Sequence, residues 1–194
     1  MSETINKQES KNLTQLQPGL KKLMVGTGWD IQMNEDGAVD VDLSCFLLNV
    51  ADQTREDSDF VFYNNATSKN EAVRYKGDNR TGAGEGDDEI IFLELDKIDF
   101  DVATIVFVAS IYEGSVNKQD FGMLKNSYIR VLDEENRVEL LRYDLAEDFK
   151  GHQAVKIASL ERAGNDWYFK ALGEPVRGGL AEVAKGYGML ITGA

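Results

Sequence analysis

The amino-acid sequence predicts an all-β protein, an antiparallel β-sandwich with a short helix near its C-terminus. Ten short runs of apolar, β-branched and aromatic residues follow one another, and clusters of Gly, Asn and Asp separate them. Such runs predict strands, and such clusters predict the turns between them. No long helical pattern alternates with the runs, which disfavours a parallel α/β sheet. Because the chain has 194 residues, 42% of them hydrophobic, we expect one domain with a sizeable core.

Each run has the composition of a strand in a sheet. In chain order, the predicted strands are KKLMV, VDVDLSCFLLN, DFVFYN, AVRYK, IIFLEL, TIVFVASIY, NSYIRVL, VELLRYD, AVKIASL and WYFKAL. Residues 34–37, 64–70, 77–89, 133–136 and 164–166 are predicted turns, since Gly, Asn and Asp adopt positive φ or hydrogen-bond their own backbone. Close to the end, apolar residues at i, i+3, i+4 and i+7 predict one face of a short helix: Leu180, Val183, Ala184 and Tyr187.

The first twenty residues differ in composition from the rest. They are polar but contain Leu13, Leu16 and Leu20. We therefore expect residues 1–20 to form a polar arm or a weakly docked first strand. Residues 21–194 are assigned to the sandwich domain.

The charge of the chain restricts its partners. It has 34 acidic against 21 basic side chains and a formal net charge of -13. This sign opposes binding to nucleic acid phosphates and to anionic lipid. We expect partners that are cations or basic surfaces, no nucleic acid and no direct membrane insertion.

Cysteine content and hydropathy indicate the compartment. Cys45 is the single cysteine, which excludes an intramolecular disulfide and a thiolate metal site and fits a reducing compartment. The N-terminus has no apolar core of a signal peptide, and no run of about 18 apolar residues occurs. The sequence therefore predicts a soluble, cytoplasmic protein.

Two aspartates share one face of the second predicted strand. In VDVDLSCFL, apolar residues take the odd positions, while Asp40 and Asp42 take even ones. Two residues along a strand lie about 6.6 Å apart, so both carboxylates can reach one cation, and they repel each other without it. The alternative is a solvated strand face.

A glycine-rich acidic segment, GDNRTGAGEGDDE, occupies residues 77–89. Its glycines let the backbone turn carbonyl oxygens inward, and its carboxylates suit a hard cation with many oxygen ligands. Calcium fits best, magnesium tolerates less irregular cages, and zinc or copper would need more His or Cys than the one of each here. The alternative is a mobile acidic loop.

Two better-known loops do not match this segment. An EF-hand fails because Arg80 and Gly82 stand at ligand positions and Ala83 at the turn-glycine position. A phosphate-binding loop fails because acids are interleaved with the glycines and no Gly-Lys-Ser/Thr ending follows.

Five segments, in this order, resemble the TerD family of tellurium-resistance and general stress proteins. They are PGLKKLMVGTGWD, DVDLSCFLLN, DFVFYNN, GDNRTGAGEGDDE and RYDLAED, at residues 18–30, 40–49, 59–65, 77–89 and 142–148. The resemblance runs through nearly the whole chain, and the glycine-rich stretch is its most specific part. It implies a calcium-binding β-sandwich similar in layout to C2 domains, from bacterial stress operons.

The resemblance also implies a ligand set and partners. Two calcium ions are expected, with Mg²⁺ as the weaker candidate, and Gly82 and Gly84 would be carbonyl donors or turn formers. Implied partners are other Ter-type proteins, including a membrane-embedded one at the inner face of the cytoplasmic membrane. The remaining implied ligands are Asp40, Asp42, Asn64, Asn65, Asp78, Asn79, Asp87, Asp88 and Glu89.

Three classes of function follow from these features. The first is a non-catalytic binding module whose acidic loops are ordered by Ca²⁺ to engage partner proteins. The second is a metal-dependent hydrolase that uses the same carboxylates. The third, direct tellurite chemistry, is disfavoured because Cys45 lies on the apolar face of its strand.

Overall fold

A computed structural model describes residues 2–31, 39–77, 86–145 and 149–189. These ranges form two six-stranded sheets, mostly antiparallel, which confirms the predicted β-sandwich. The strands are β1 Glu3–Thr4, β2 Ser10–Asn12, β3 Lys22–Ile31, β4 Val41–Leu48, β5 Phe60–Val61, β6 Val73–Tyr75, β7 Glu89–Glu94, β8 Thr104–Ile111, β9 Leu124–Asp133, β10 Glu139–Asp144, β11 Ala154–Ala163 and β12 Asp166–Val176.

The helices are short and lie outside the sheets. They are α1 Leu13–Leu16, α2 Gly114–Asn117 and α3 Gly179–Gly186, with single 3₁₀ turns at Asp57–Asp59, Leu95–Lys97 and Phe121–Met123. In the part of the chain that the structure describes, none of these helices has the length and apolar composition needed to cross a membrane.

Sheet A has the strand order β1-β10-β9-β3-β7-β6, and sheet B has the order β2-β12-β11-β8-β4-β5. Each of the ten predicted runs forms one strand, β3 to β12. In residues 1–20, for which the sequence predicted a polar arm or a weakly docked first strand, the structure has β1 and β2, which are two and three residues long and polar. β1 pairs with β10 in parallel and β2 with β12 antiparallel. Residues 2–20 therefore contribute one strand to each sheet. Ile5 and Leu13 from this range are fully buried in the core.

The core lies between the two sheets, and a second apolar layer covers the outside of sheet B. Along β4, Leu43, Cys45 and Leu47 face the core. Phe46 and Leu48 face outward and pack in a separate cluster with α3. The predicted helix is confirmed, with its buried residues on the predicted stripe: Val183, Ala184 and Tyr187.

Burial of such a stripe stabilises the helix by roughly 1.5 to 3 kcal/mol for each large apolar side chain that is fully buried. Because the core covers one face of β4 and the second apolar layer covers the other, β4 is buried on both faces. The alternating pattern of its sequence predicted one buried face.

The chain path brings several loops to one end of the sandwich. β3 of sheet A ends at Ile31 and β4 of sheet B begins at Val41, so the chain passes from one sheet to the other at this end. β7 runs antiparallel to β3, with Glu89 opposite Thr27, and β5 runs antiparallel to β4. We call this end the acidic end and define it by residues 40–42, 62–65 and 86–89.

Candidate functional site

The acidic end contains seven of the predicted ligands: Asp40, Asp42, Asn64, Asn65, Asp87, Asp88 and Glu89. The other four, Asp78, Asn79, Gly82 and Gly84, lie outside the described residues. The seven do not converge on one point. Five of them form three groups: Asp87 on the outer face of sheet A, Asp88 and Glu89 at the start of β7, and Asp42 with Asn64 on the outer face of sheet B.

The first group is Asp87 with its partners on the outer face of sheet A. Arg130 holds the carboxylate with two hydrogen bonds, Nε to Oδ1 at 2.7 Å and Nη2 to Oδ2 at 3.1 Å. The Tyr128 hydroxyl lies 3.0 Å from Asp87 Oδ1 and 3.0 Å from the Gly86 carbonyl oxygen. The Asp87 side chain is only 2% exposed. Its negative charge is thus neutralised by Arg130, which gives this residue a structural role.

Arg130 joins this ion pair to the neighbouring strand. Its Nη1 also donates to Glu139 Oε2 at 2.9 Å. Burial opposes the charge of the guanidinium, but the hydrogen bonds to Asp87 and Glu139 outweigh it, so the pKa of Arg130 is raised. The network fixes Asp87, near the end of the glycine-rich segment, to β9 and β10.

The second group is Asp88 and Glu89, adjacent buried carboxylates where β7 begins. Asp88 is 8% exposed and Glu89 1%. Asp88 Oδ2 accepts a hydrogen bond from the Trp29 amide at 3.0 Å, and the Asp88 amide donates to the Thr27 carbonyl at 2.9 Å. Further along the strand, Ile91 faces the core, so by strand alternation Glu89 points between the sheets.

This second group has the electrostatics of a cation site. Two adjacent carboxylates place two negative charges close together, and a cation beside them favours their ionised forms. Asp88 and Glu89 are also the last two residues of the glycine-rich segment. The arrangement can therefore contribute two charged oxygen ligands to a hard cation.

The third group is Asp42 with Asn64, on the outer face of sheet B. Asp42 is opposite Ser110 in the β4–β8 ladder and is 8% exposed. Asp40 precedes the first residue of β4, so the strand fixes the face of Asp42 alone, and the alternative of a solvated face is wrong for Asp42. Both Asp42 and Asn64 line a cavity of about 470 Å³.

Asn65 has a local structural role. Its side-chain amide donates to the Phe60 carbonyl at 2.7 Å, and its backbone pairs with Phe62 across the turn. These bonds close the turn after β5 and place Asn64 beside the cavity.

Asp42 and Asp87 thus lie on opposite outer faces of the sandwich, so one ion cannot bind both. Within the described ranges, no three His, Cys, Asp or Glu side chains are grouped as a metal site. A complete cation cage needs ligands beyond the described carboxylates.

Sequence patterns missed the aromatic wall of the cavity. Tyr63 follows β5, and Tyr112 and Glu113 follow β8, the two strands that flank β4. The adjacency of these strands was the missing information, since in sequence each tyrosine is only a residue near the end of a predicted strand.

Comparison with known proteins gives the family. A family model described as the TerD domain matches residues 1–187. The chain is 39% identical over 189 residues to the tellurium resistance protein TerD of Serratia marcescens, covering 97% of this chain and 98% of that protein. It is 40% identical over 192 residues to general stress protein 16U of Bacillus subtilis, covering 98% and 100%.

Solved structures agree on the fold. A Streptomyces coelicolor homologue of telluride resistance protein (TerD) superposes with a TM-score of 0.67 at 20% identity, covering 89% of this chain and 100% of that one. At that identity the likeness supports the fold alone. The family match and the two relatives together show that the chain belongs to the TerD family of tellurium-resistance and general stress proteins.

Proposed function

We propose that this protein is a non-catalytic, calcium-binding stress-response module, and that Ca²⁺ orders its acidic end for binding to a partner protein. The observation that carries the proposal is the adjacent pair of buried carboxylates, Asp88 and Glu89, at the start of β7. Both side chains supply carboxylate oxygens, the ligands that a hard cation such as calcium prefers.

We retain seven of the eleven predicted ligands. We assign calcium to Asp88 and Glu89, to the side chains of Asp78 and Asn79, to the carbonyls of Gly82 and Gly84, and to Asp40 where β4 begins. This set can complete the six to eight oxygens of one calcium ion, so we propose one ion where the sequence led us to expect two. Magnesium is the weaker candidate because it requires near-octahedral geometry.

The set leaves out four predicted ligands for geometric reasons. Asp87 is already neutralised by Arg130, and Asn65 closes a turn. Asp42 and Asn64 line the cavity on the outer face of sheet B.

Calcium binding would act on the shape of the acidic end. Without metal the carboxylates repel one another, and a ligand that binds only the folded form adds about 2.7 kcal/mol of stability at a hundred times its dissociation constant. The ordered loops would then present one surface. With a net charge of -13, the complementary partner surface is basic. We propose that the partners are other Ter-type proteins. These include a membrane-embedded Ter-type protein, which would be bound at the inner face of the cytoplasmic membrane.

Isothermal titration of the full chain with calcium, and separately with magnesium, tests the proposal. We expect calcium to bind more tightly, and the Asp88→Asn, Glu89→Gln double variant to lose binding. The double variant Asp96→Asn, Glu135→Gln is the matched control, since it removes two exposed charges at the opposite end and should bind calcium like the unchanged protein. Equal binding by both double variants would contradict the proposed site.

A second assay separates this module from a metal-dependent hydrolase. The calcium-loaded protein is incubated with a model phosphodiester, and we expect no turnover above the metal-free solution. Turnover that disappears in the Asp88→Asn, Glu89→Gln variant would instead establish the hydrolase.

A further inference from the structure

The cavity on the outer face of sheet B has the walls of a binding site for a small molecule. It encloses about 470 Å³, which lies in the range of ordinary ligand pockets. Strand ends from β4, β5 and β8 form one side, and the first turn of α3 forms the other. Two successive glycines with positive φ, Gly178 and Gly179 at +91° and +71°, let the chain turn sharply into that helix.

Aromatic rings form one wall of this cavity. Tyr63 and Tyr112 meet edge to face, with ring centroids 6.3 Å apart and planes at 81°. Phe62 lies against Tyr63 at 5.2 Å, and Phe60 stacks on Phe62 at 4.2 Å. The stack continues through Phe46 to Tyr187 beneath α3, so the packed core supports the wall from behind. Both tyrosines keep part of their surface in contact with solvent and with the cavity.

The charge of the cavity is negative. Asp42 and Glu113 line it, and the described residues of its lining include no Lys, Arg or His. The pKa of Tyr63 is raised, first by burial and then by Asp42, Tyr112, Asp40 and Glu113. The same field that opposes a phenolate at Tyr63 favours a cation beside it.

The first turn of α3 contributes positive charge to the cavity. A helix N-terminus carries about half a positive charge, whereas the two lining carboxylates together carry two negative charges. The sum stays negative, and faces of aromatic rings attract cations as well.

We infer that this cavity binds a small organic cation, an ammonium group on an apolar body, with the rings of Tyr63 and Tyr112 around the apolar part and Asp42 and Glu113 facing the charge. The inference goes beyond the calcium proposal and does not depend on it. It gives Asp42 a different ligand from the one its sequence motif suggested.

Three probes of the same shape and different charge test the inference: phenethylamine, 2-phenylethanol and 3-phenylpropanoate. Each is titrated into the full chain at neutral pH in the presence of a chelator, and binding is followed by nuclear magnetic resonance of the backbone amides. We expect the amine to bind about tenfold more tightly than the alcohol and the carboxylate to bind least. The largest shifts should fall on residues 62–64 and 110–116. Equal affinity for amine and alcohol, or no binding of the amine, would overturn the inference.

Variants separate the charged groups from the fold. Glu113 is exposed, so Glu113→Gln should weaken the binding of the amine about threefold. Asp42→Asn should weaken the binding of the amine about tenfold. Neither substitution should change the affinity for the alcohol. Asp96→Asn, which removes one exposed charge at the opposite end, is the control and should bind the amine normally. If a thermal melt shows that Asp42→Asn is unfolded, Glu113→Gln decides alone. No effect of Glu113→Gln would then contradict the inference.

Two further arms identify the source of the cation. A lysine-containing peptide should bind more weakly than the free amine, because only a small molecule can enter the cavity completely. Tighter binding of the peptide would indicate a protein-docking surface and overturn the small-molecule assignment. Repeating the amine titration with calcium should leave its affinity unchanged, whereas competition would return Asp42 to the metal site.

Discussion

Asp87 and Arg130 form a bidentate ion pair above the backbone of Gly26, on the outer face of sheet A. The carboxylate lies so close to the strand that a Cβ at Gly26 would overlap Asp87. The pair links β9 to the residue that immediately precedes the two proposed calcium ligands, Asp88 and Glu89. Part of the proposed metal site is therefore held in place by an ion pair on the outside of the sheet.

Gly26→Ala tests this close approach. The added methyl group must displace the Asp87 carboxylate, so we expect a loss of about 1 to 3 kcal/mol in the free energy of unfolding, measured by urea denaturation. Gly186→Ala is the matched control, because a Cβ there has no atom within 4 Å and Gly186 ends helix α3. This control should be neutral or slightly stabilising. Equal stability of the two variants would contradict the packing of Asp87 on β3.

Arg130→Met tests the ion pair itself. It leaves the buried Asp87 carboxylate without its cation, so we expect a loss of about 3 kcal/mol in unfolding free energy. Lys21→Met breaks an exposed pair with Asp96 and should cost less than about 1 kcal/mol. If both variants lose the same small amount of unfolding free energy, the Asp87–Arg130 pair stabilises the fold no more than an exposed ion pair does. Calcium affinity should also fall in Arg130→Met, since Asp88 and Glu89 follow the freed residue.

Two tyrosines should lose their hydroxyl protons at a higher pH than an unfolded tyrosine does. Burial, followed by the charge of Asp87, raises the pKa of Tyr128 to about 12. Burial, followed by Glu174 and Asp52, raises the pKa of Tyr187 to about 12. An unfolded tyrosine has a pKa of about 10, so the folded state holds these two protons more tightly. Their contribution to stability is complete below pH 10 and is lost as the pH rises from about 10 to about 12.

Ultraviolet titration of tyrosinate absorbance checks this expectation. The native protein should show a late phase near pH 12, and Tyr128→Phe should lose part of it. Urea melts should show a free energy of unfolding that falls as the pH rises from about 10 to about 12, and that falls less in Tyr128→Phe. Titration of every tyrosine near pH 10 in the folded protein would contradict the burial of Tyr128 and Tyr187.

Cys45 should be inert in the folded protein. It is completely buried, and burial, followed by the charge of Asp59, raises the pKa of its thiol. The reactive thiolate is therefore scarce. We expect almost no reaction with a thiol reagent such as Ellman's reagent in native buffer and complete reaction in denaturant. Rapid reaction of the native protein would reopen direct tellurite chemistry at Cys45.

Local sequence patterns were enough to predict most of the strands. The runs that form β3 to β12 are apolar and bounded by turn residues, and the stripe of Val183, Ala184 and Tyr187 predicted α3. For residues 1–20 the sequence left a polar arm and a weakly docked first strand open, because the pairing of β1 with β10 and of β2 with β12 depends on partners more than 130 residues away in sequence.

The same limit applies to the candidate site. The glycine-rich segment and Asp88 and Glu89 stood out by composition. The pairing of Asp87 with Arg130 spans 43 residues and leaves no local pattern. β4 was predicted to have a single buried face, because nothing near Asp42 in sequence shows that α3 returns to cover the outside of sheet B.

Thermal melts of the chelator-treated protein, alone, with calcium and with magnesium, test the central claim most directly. We predict that calcium raises the melting temperature by several degrees, that magnesium does less, and that the Asp88→Asn, Glu89→Gln variant loses the calcium effect. The Asp96→Asn, Glu135→Gln control should keep it. No shift with either ion in the unchanged protein, or a calcium shift of equal size in the Asp88→Asn, Glu89→Gln variant, would contradict a calcium site at the start of β7.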